Sequence, residues 1–224
     1  MADKTRVKIP FSQLEYTATF QSPMLQLVGR LHDAVVPFVQ ALEPWKFAFD
    51  ETEFQLSSPK PRDHVITFQR PTTLPPPQMR VALRWSTLTV SVDQPDWTEA
   101  ASIAKLCTIA QQTATRVGGA QLKSQEVSLA MHVQSETTPR SEITEVLLTP
   151  SARELLDGNL LGQGLIVHRE NGMILIDNSA VFANGLFIRI QRKFDASVTL
   201  DRAGEVLLQD EEKLWNILGL EGEL

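Results

Sequence analysis

The chain holds one cysteine and one tyrosine among its 224 residues and has no long apolar run, and each shortage closes off a class of protein. A lone thiol, Cys107, forms no internal disulfide. Its neighbours on the apolar side of a helical pattern predict burial rather than reactivity, and a reducing cytoplasm is the compartment this implies. No window approaches the roughly 20 consecutive apolar residues that a membrane-spanning helix requires. Residues 1–10 carry Asp3, Lys4, Arg6 and Lys8 with no apolar segment behind them, so they do not read as a secretory signal. A cytoplasmic protein with no membrane partner is therefore expected.

Positive charge is also in short supply. Lysine and arginine total 21 against 27 acids, a net charge of −6 with a pI near 5.3, which argues against binding nucleic acid through its phosphates. The imbalance is local. Residues 201–224 hold seven acids against Arg202 and Lys213, so this segment carries all but one of the net negative charges. It reads as a solvated helix face with an acidic tail; docking to a basic partner is the alternative.

Catalytic and ligand-binding patterns are missing as well. The four histidines, His32, His64, His132 and His168, share no short ligand spacing with one another or with Cys107, which excludes a zinc motif. Gly158, Gly162 and Gly164 have no following lysine, no strand feeding them and no long helix leaving them, so both nucleotide fingerprints fail. No G-x-S-x-G elbow occurs. Asp50, Glu51 and Glu53 crowd one turn but lack a glycine-bent ligand loop, and a solvated hairpin tip is expected instead of a metal site. Ser128 and His132 stand about 13 Å apart at strand rise, too far for a nucleophilic pair. No catalytic residue, cofactor or metal is expected, and His132 reads as a surface histidine.

What the sequence does contain is periodicity, clearest over residues 79–133. Met79, Val81, Leu83 and Trp85 alternate with polar neighbours, and after a change of phase Leu88, Val90 and Val92 do the same, the pattern of strands with one buried face. Asp96, placed before Trp97 and three residues ahead of Glu99, can cap a helix start. Ile103, Leu106, Cys107, Ala110, Ala114 and Val117 then make one helical stripe, and Gly118-Gly119 ends it. Val127, Leu129, Met131 and Val133 resume the strand pattern.

Upstream, Leu14, Tyr16, Ala18 and Phe20 predict a strand, and Ser22-Pro23 opens a helix bearing Leu27, Val28, Leu31, Val35, Phe38 and Val39. Pro37 is expected to end or kink it near Val36. Phe47 with Phe49, and Phe54 with Leu56, predict short strands around the acidic turn. Residues 64–69 predict another, between proline-rich segments whose Pro75-Pro76-Pro77 run should be extended and exposed, a spacer more than a proline-recognition ligand.

Downstream, residues 143–148 predict a strand, Ser151 with Glu154 caps a short helix stopped at Asp157-Gly158, and Asn171-Gly172 and Asn184-Gly185 mark hairpins. This gives a meander of at least four strands that includes Val181-Phe182, with Val198 and Leu200 as an extension and a turn at residues 201–204. A closing helix carries Leu207, Glu211, Leu214, Trp215 and Leu218 on one side and ends at Gly219. Arg189 and Lys193 share a strand face with Phe187 and Gln191, the one basic patch with an aromatic in it, and protection of an edge strand is its expected role.

Residues 81–133, with a strand pair running into Pro95-Asp96-Trp97, a long helix closed by Gly118-Gly119 and a following strand, resemble the middle of a sporadically distributed family of uncharacterised bacterial proteins. The resemblance covers about a quarter of the chain. It implies a cytoplasmic α+β fold and assigns no activity and no functional residue.

The fold expected is α+β: an antiparallel sheet with two long helices packed on one face, a ferredoxin-like lobe over residues 1–134, followed by a β-meander lobe with a C-terminal helix over residues 135–224, the two separate or fused in one compact unit. The function expected is a non-enzymatic, cytoplasmic protein-binding or assembly module whose partner is another protein or a second copy, as a homodimer. The competing reading is a small-ligand protein or enzyme with a pocket between the lobes, lined by Phe68, Trp85 and His132. Partner contacts are placed at those residues and at Phe187, Arg189 and Lys193.

Overall fold

A computed structural model describes residues 4–24, 31–56, 58, 60–145, 147 and 164–223. Among them it shows a mixed α and β chain built on a ten-stranded sheet. The strands are β1 (Thr5–Phe20), β2 (Thr52–Gln55), β3 (Val65–Gln69), β4 (Gln78–Arg84), β5 (Thr87–Asp93), β6 (Leu122–Gln134), β7 (Leu165–Arg169), β8 (Gly172–Asn178), β9 (Gly185–Asp195) and β10 (Leu220–Glu223). The helices are α1 (Leu31–Leu42), α2 (Ala100–Gly118), α3 (Arg140–Glu145) and α4 (Leu200–Leu218). The strands are hydrogen-bonded in the order β2-β3-β4-β5-β1-β6-β9-β8-β7, and β10 pairs with β1. No helix among the described residues is long and apolar enough to cross a membrane.

The chain forms two compact units that share strands. One comprises Met1–Ser12, Ser128–Arg192 and Glu205–Leu224; the other comprises Gln13–Val127 and Lys193–Gly204. Both use one local plan: a meander, a 19-residue helix closed by a glycine at positive φ, then a strand. In the second unit α2 ends at Gly119 with φ 64° and leads to β6; α4, which lies in the first unit from Glu205 on, ends before Gly219 with φ 63° and leads to β10. Each glycine stands where a side chain would be strained, which is why both helices stop there.

In the second unit the period-two residues point inward as a set. Leu83, Leu88, Val90, Val92 and Val81 are all buried, and Phe38 of α1 stacks on Phe68 of β3 with ring centroids 5.0 Å apart. Trp85, expected in that set, sits half-buried in the β4–β5 turn. Helix α2 buries Ile103, Leu106, Cys107, Ala110 and Ala114 as its stripe requires, while Val117 is only half-buried and Thr113 joins the buried side. Asp96 caps the 3₁₀ turn Trp97–Glu99 that leads into α2, accepting the Thr98 N–H at 2.8 Å. Tyr16 donates to Gln125 at 3.1 Å, and Gln125 donates to the carbonyls of Asp195 and Val198 at 3.1 and 2.8 Å, so this buried polar chain is satisfied along its length.

Several expectations fail for identifiable reasons. The helix end expected near Val36 is absent: α1 runs through Pro37 to Leu42, because burying Val35, Phe38 and Leu42 outweighs the one hydrogen bond lost. Phe47 and Phe49 form no strand; Phe49–Glu51 is a 3₁₀ turn, and β2 starts only at Thr52. Residues 140–145 are helical where a strand over 143–148 was expected, since Pro139 fixes φ at the helix start and its carbonyl accepts the Ile143 N–H at 3.3 Å. Residues 201–204 are the first turn of α4, not a reversal. Thr199 caps it by accepting the Arg202 N–H at 3.4 Å. The Pro75–Pro77 segment, by contrast, is the expected spacer between paired strands, β3 and β4, with Pro75 and Pro76 exposed, and the Arg70 guanidinium donates to the Pro75 and Pro77 carbonyls at 2.6 and 2.7 Å. Leu27 and Val28 of the helix expected to open at Ser22-Pro23, and the helix capped by Ser151, fall outside the described residues.

The acidic tail has a place in the first unit. Strand β10 runs parallel to β1 with Glu221 in register with Arg6 and Glu223 with Lys8. The segment that supplies most of the net charge is thus aligned with the basic start of the same chain.

Candidate functional site

The first unit presents a strand surface on which two of the expected contact residues, His132 and Phe187, meet. Along β9, Leu186, Ile188 and Ile190 are buried, which turns Phe187, Arg189 and Gln191 to the other face. Strand β6 does the same with Leu129, Met131 and Val133 against His132. His132 and Phe187 come together, ring centroids 5.1 Å apart, and Phe11 and Phe182 close around the imidazole at 5.9 and 6.0 Å.

Ser179, which sequence reasoning missed, completes this cluster. Its Oγ accepts the Val181 N–H at 3.1 Å and the Phe182 N–H at 2.9 Å, which occupies both lone pairs. The hydroxyl proton is therefore donated to His132 Nδ1 at 2.8 Å. A serine beside a histidine suggests a nucleophile and its base, yet an oxygen whose lone pairs are held by two backbone donors is ill-suited to attack. The same two bonds explain why Val181 and Phe182 lie in the β8–β9 loop, so that among the described residues the meander has three strands, β7, β8 and β9. The Asn184 φ of 62° and Gly185 close that loop.

The basic patch has a different role from the one expected. Strand β9 lies between β6 and β8, so Arg189 and Lys193 guard no edge. Arg189 donates to the buried Ser128 hydroxyl at 3.4 Å within the first unit, and Lys193 pairs with Glu126 at 3.8 Å within the second. Phe68 and Trp85 also belong to the second unit, with Phe68 fully buried in its core; His132 belongs to the first.

The strongest electrostatic feature went unread in the sequence. Asp210 of α4 is 3% exposed and accepts from Arg169 Nη1 at 2.7 Å, from Arg192 Nε at 2.5 Å and from Arg192 Nη2 at 2.9 Å. Burial pushes its carboxyl up, but the hydrogen bonds from Arg192 and Arg169 outweigh this and hold it below the usual carboxylate range. The triad ties α4 to the ends of β7 and β9. A neighbouring carboxyl, Glu211, is shifted the other way by burial while accepting from Trp215 Nε1 at 3.1 Å.

Two further features belong to the first unit. A cleft of about 260 Å³ is lined by Arg6, Val7, Lys8, Gln134, Glu136 and Thr137, and Lys8 pairs across it with Glu136. Strand β7 ends the sheet order, with Ile166 55% and Val167 39% exposed. Among the described residues, no group of three or more histidine, cysteine or acidic side chains is placed to hold a metal ion.

No family model and no curated protein matches the chain. Solved structures align over most of its length at low similarity. The di-domain ARO/CYC BexL from the BE-7585A biosynthetic pathway is 10% identical with a TM-score of 0.23, covering 92% of this chain and 97% of that one. The class II 3-hydroxy-3-methylglutaryl-CoA reductase from Streptococcus pneumoniae bound to NADPH is 8% identical with a TM-score of 0.28, covering 95% of this chain and 62% of that one. A second structure of the Streptococcus pneumoniae reductase gives 8%, 0.27, 95% and 70%. At these scores none of them informs the fold or the function.

Proposed function

We propose that the protein is a non-enzymatic, cytoplasmic assembly module that joins protein chains by adding strands to its sheet, with a second copy of itself as the partner at β7. The observation that carries this reading is the β7 edge. Five residues long, it has no strand beyond β8 among the described residues, and Ile166 and Val167 are exposed on its two opposite faces. Natural edge strands are guarded by lysine, proline or a bulge, and residues 165–168 contain no lysine or proline.

Antiparallel pairing of two β7 strands about Val167 would set Val167 against Val167, Ile166 against His168 and Leu165 against Arg169. No like charges are opposed, and the Arg169 guanidinium is already held by Asp210. Such a contact is small, so a weak, concentration-dependent homodimer is expected. The polar side chains beside it point the same way. The Ser179 hydroxyl and the Asp210 carboxylate are engaged inside the unit, so neither competes with the apolar edge for a partner.

The accompanying fold reading is a ferredoxin-like lobe with α1 and α2 on one face of the sheet, supported by the packing of α1 on α2 and of α2 over β5. It takes in membership of the bacterial family that residues 81–133 resemble. Sedimentation velocity over a concentration series tests the assembly. The wild type should pass from monomer to dimer while Val167→Lys stays monomeric. A wild type that is monomeric throughout, or a variant that dimerises equally well, contradicts the proposal.

A further inference from the structure

We infer that β2, at the other end of the strand order and in the second unit, is a docking edge for an extended segment of a different protein in which apolar and basic side chains alternate. This goes beyond the β7 homodimer and stands independently of it. At and beside β2 lie the three carboxylates of the acidic turn noted in the sequence, Asp50, Glu51 and Glu53, all exposed.

Strand β2 pairs with β3 through Thr52 with Phe68, Glu53 with Thr67, Phe54 with Ile66 and Gln55 with Val65, and no strand flanks its outer side among the described residues. Phe68 and Ile66 are buried, so Phe54 lies on the core face, at the rim of the core, and yet it is 44% exposed. Phe49, just ahead of the strand, is 57% exposed. A strand added outside β2 would bring an apolar side chain to within about 5 Å of Phe54 on that face. It would cover a ring that the protein's own core leaves open.

Charge fixes the other face. Asp50, Glu51, Glu53 and Gln55 are exposed, and Glu53 projects from the face opposite to Phe54. A residue facing Glu53 across a new strand pair gains if it is lysine or arginine and loses if it is acidic. Alternation of the two faces therefore specifies an apolar–basic–apolar–basic segment, bound in the strand-addition mode. A second copy is disfavoured as the occupant. Pairing two β2 strands would line one seam with three carboxylates from each copy and no basic residue between them.

The test uses the full chain with two synthetic hexapeptides, one alternating lysine and isoleucine, the other alternating glutamate and isoleucine. Amide shifts are followed by NMR. The lysine peptide should perturb Phe49 and residues 52–55 and leave β7 unmoved, and its affinity should fall with added salt. Phe54→Ser should weaken it by about tenfold, as for an anchor side chain. Glu53→Lys should weaken the lysine peptide and allow the glutamate peptide to bind. Both residues are exposed, so the fold should survive, and the unperturbed amides of β4 and β5 report whether it does. Val167→Lys should bind the peptide as wild type does, which separates failure at β2 from failure of the β7 dimer. Equal binding of both peptides, shifts confined to other strands, or no shifts at saturating peptide would each overturn the inference.

Discussion

Replacing Asp210 by asparagine should destabilise the first unit more than any other change that keeps side-chain volume nearly constant. The carboxylate is 3% exposed and takes three hydrogen bonds from two guanidinium groups. Asparagine offers one acceptor oxygen and turns its amide N–H toward arginine donors, which leaves positive charge buried without its counter-charge. Removing one partner of a fully buried pair costs about 3–5 kcal/mol. Here Arg169 and Arg192 keep 31% and 21% of their side-chain surface in water, which recovers part of that cost. The expected loss is about 2–3 kcal/mol, or a melting temperature roughly 5–10 °C lower for a chain of this size.

The sign of the pH dependence follows from the same contacts. Asp210 titrates lower in the folded chain than when unfolded. Its stabilisation is therefore complete above the unfolded value of about 3.9 and is lost as pH falls through the lower folded value. Calorimetry of both proteins from neutral to acid pH should show a gap that is full at pH 7 and closes only in strong acid. Equal melting at pH 7, or a gap that ignores acid, would refute the reasoning.

Three other perturbations have defined outcomes. Gly172→Ala should lower the urea midpoint by the equivalent of about 2–3 kcal/mol, because the added Cβ would lie 2.0 Å from the Gln191 carbonyl oxygen at a φ of 157°; an unchanged midpoint would mean that β8 and β9 are not paired there. Cys107 should resist alkylation in the folded protein at mildly alkaline pH and react once unfolded, since burial pushes its thiol up to about 12; mass spectrometry after iodoacetamide treatment reads this directly. Asp96→Ala should speed amide exchange at Thr98, whose N–H loses its acceptor, and an unchanged exchange rate there would contradict the cap.

The middle of the chain was legible because its signals are local. The alternation at Val81, Leu83, Leu88 and Val90, the cap at Asp96 and the glycine stop after Gly118 each act within a few residues, and the structure keeps all of them. The helix end expected at Pro37 failed because propensity weighs one lost hydrogen bond and cannot weigh the burial of Phe38 and Leu42. Val181 and Phe182 misled because the Ser179 hydroxyl takes their amides into a turn, a competition invisible in a hydrophobic pattern. Thr199 was a readable cap, set two residues before Asp201 and overlooked beside Gly204.

Of the expected contact residues, His132 and Phe187 do meet, while Arg189 and Lys193 have partners that only strand order could reveal. Asp210 reaches Arg169 across 41 residues, and no periodicity carries that information. The parallel strand at Leu220–Glu223 was hidden for the same reason: its partner lies at the opposite end of the sequence.

The claim that β7 is an assembly edge is tested most directly by hydrogen exchange over residues 165–169 as protein concentration rises. The account predicts that protection of these amides increases with concentration in the wild type and stays at its dilute level in Val167→Lys. Protection that is independent of concentration in the wild type, or that rises equally in the variant, would contradict it.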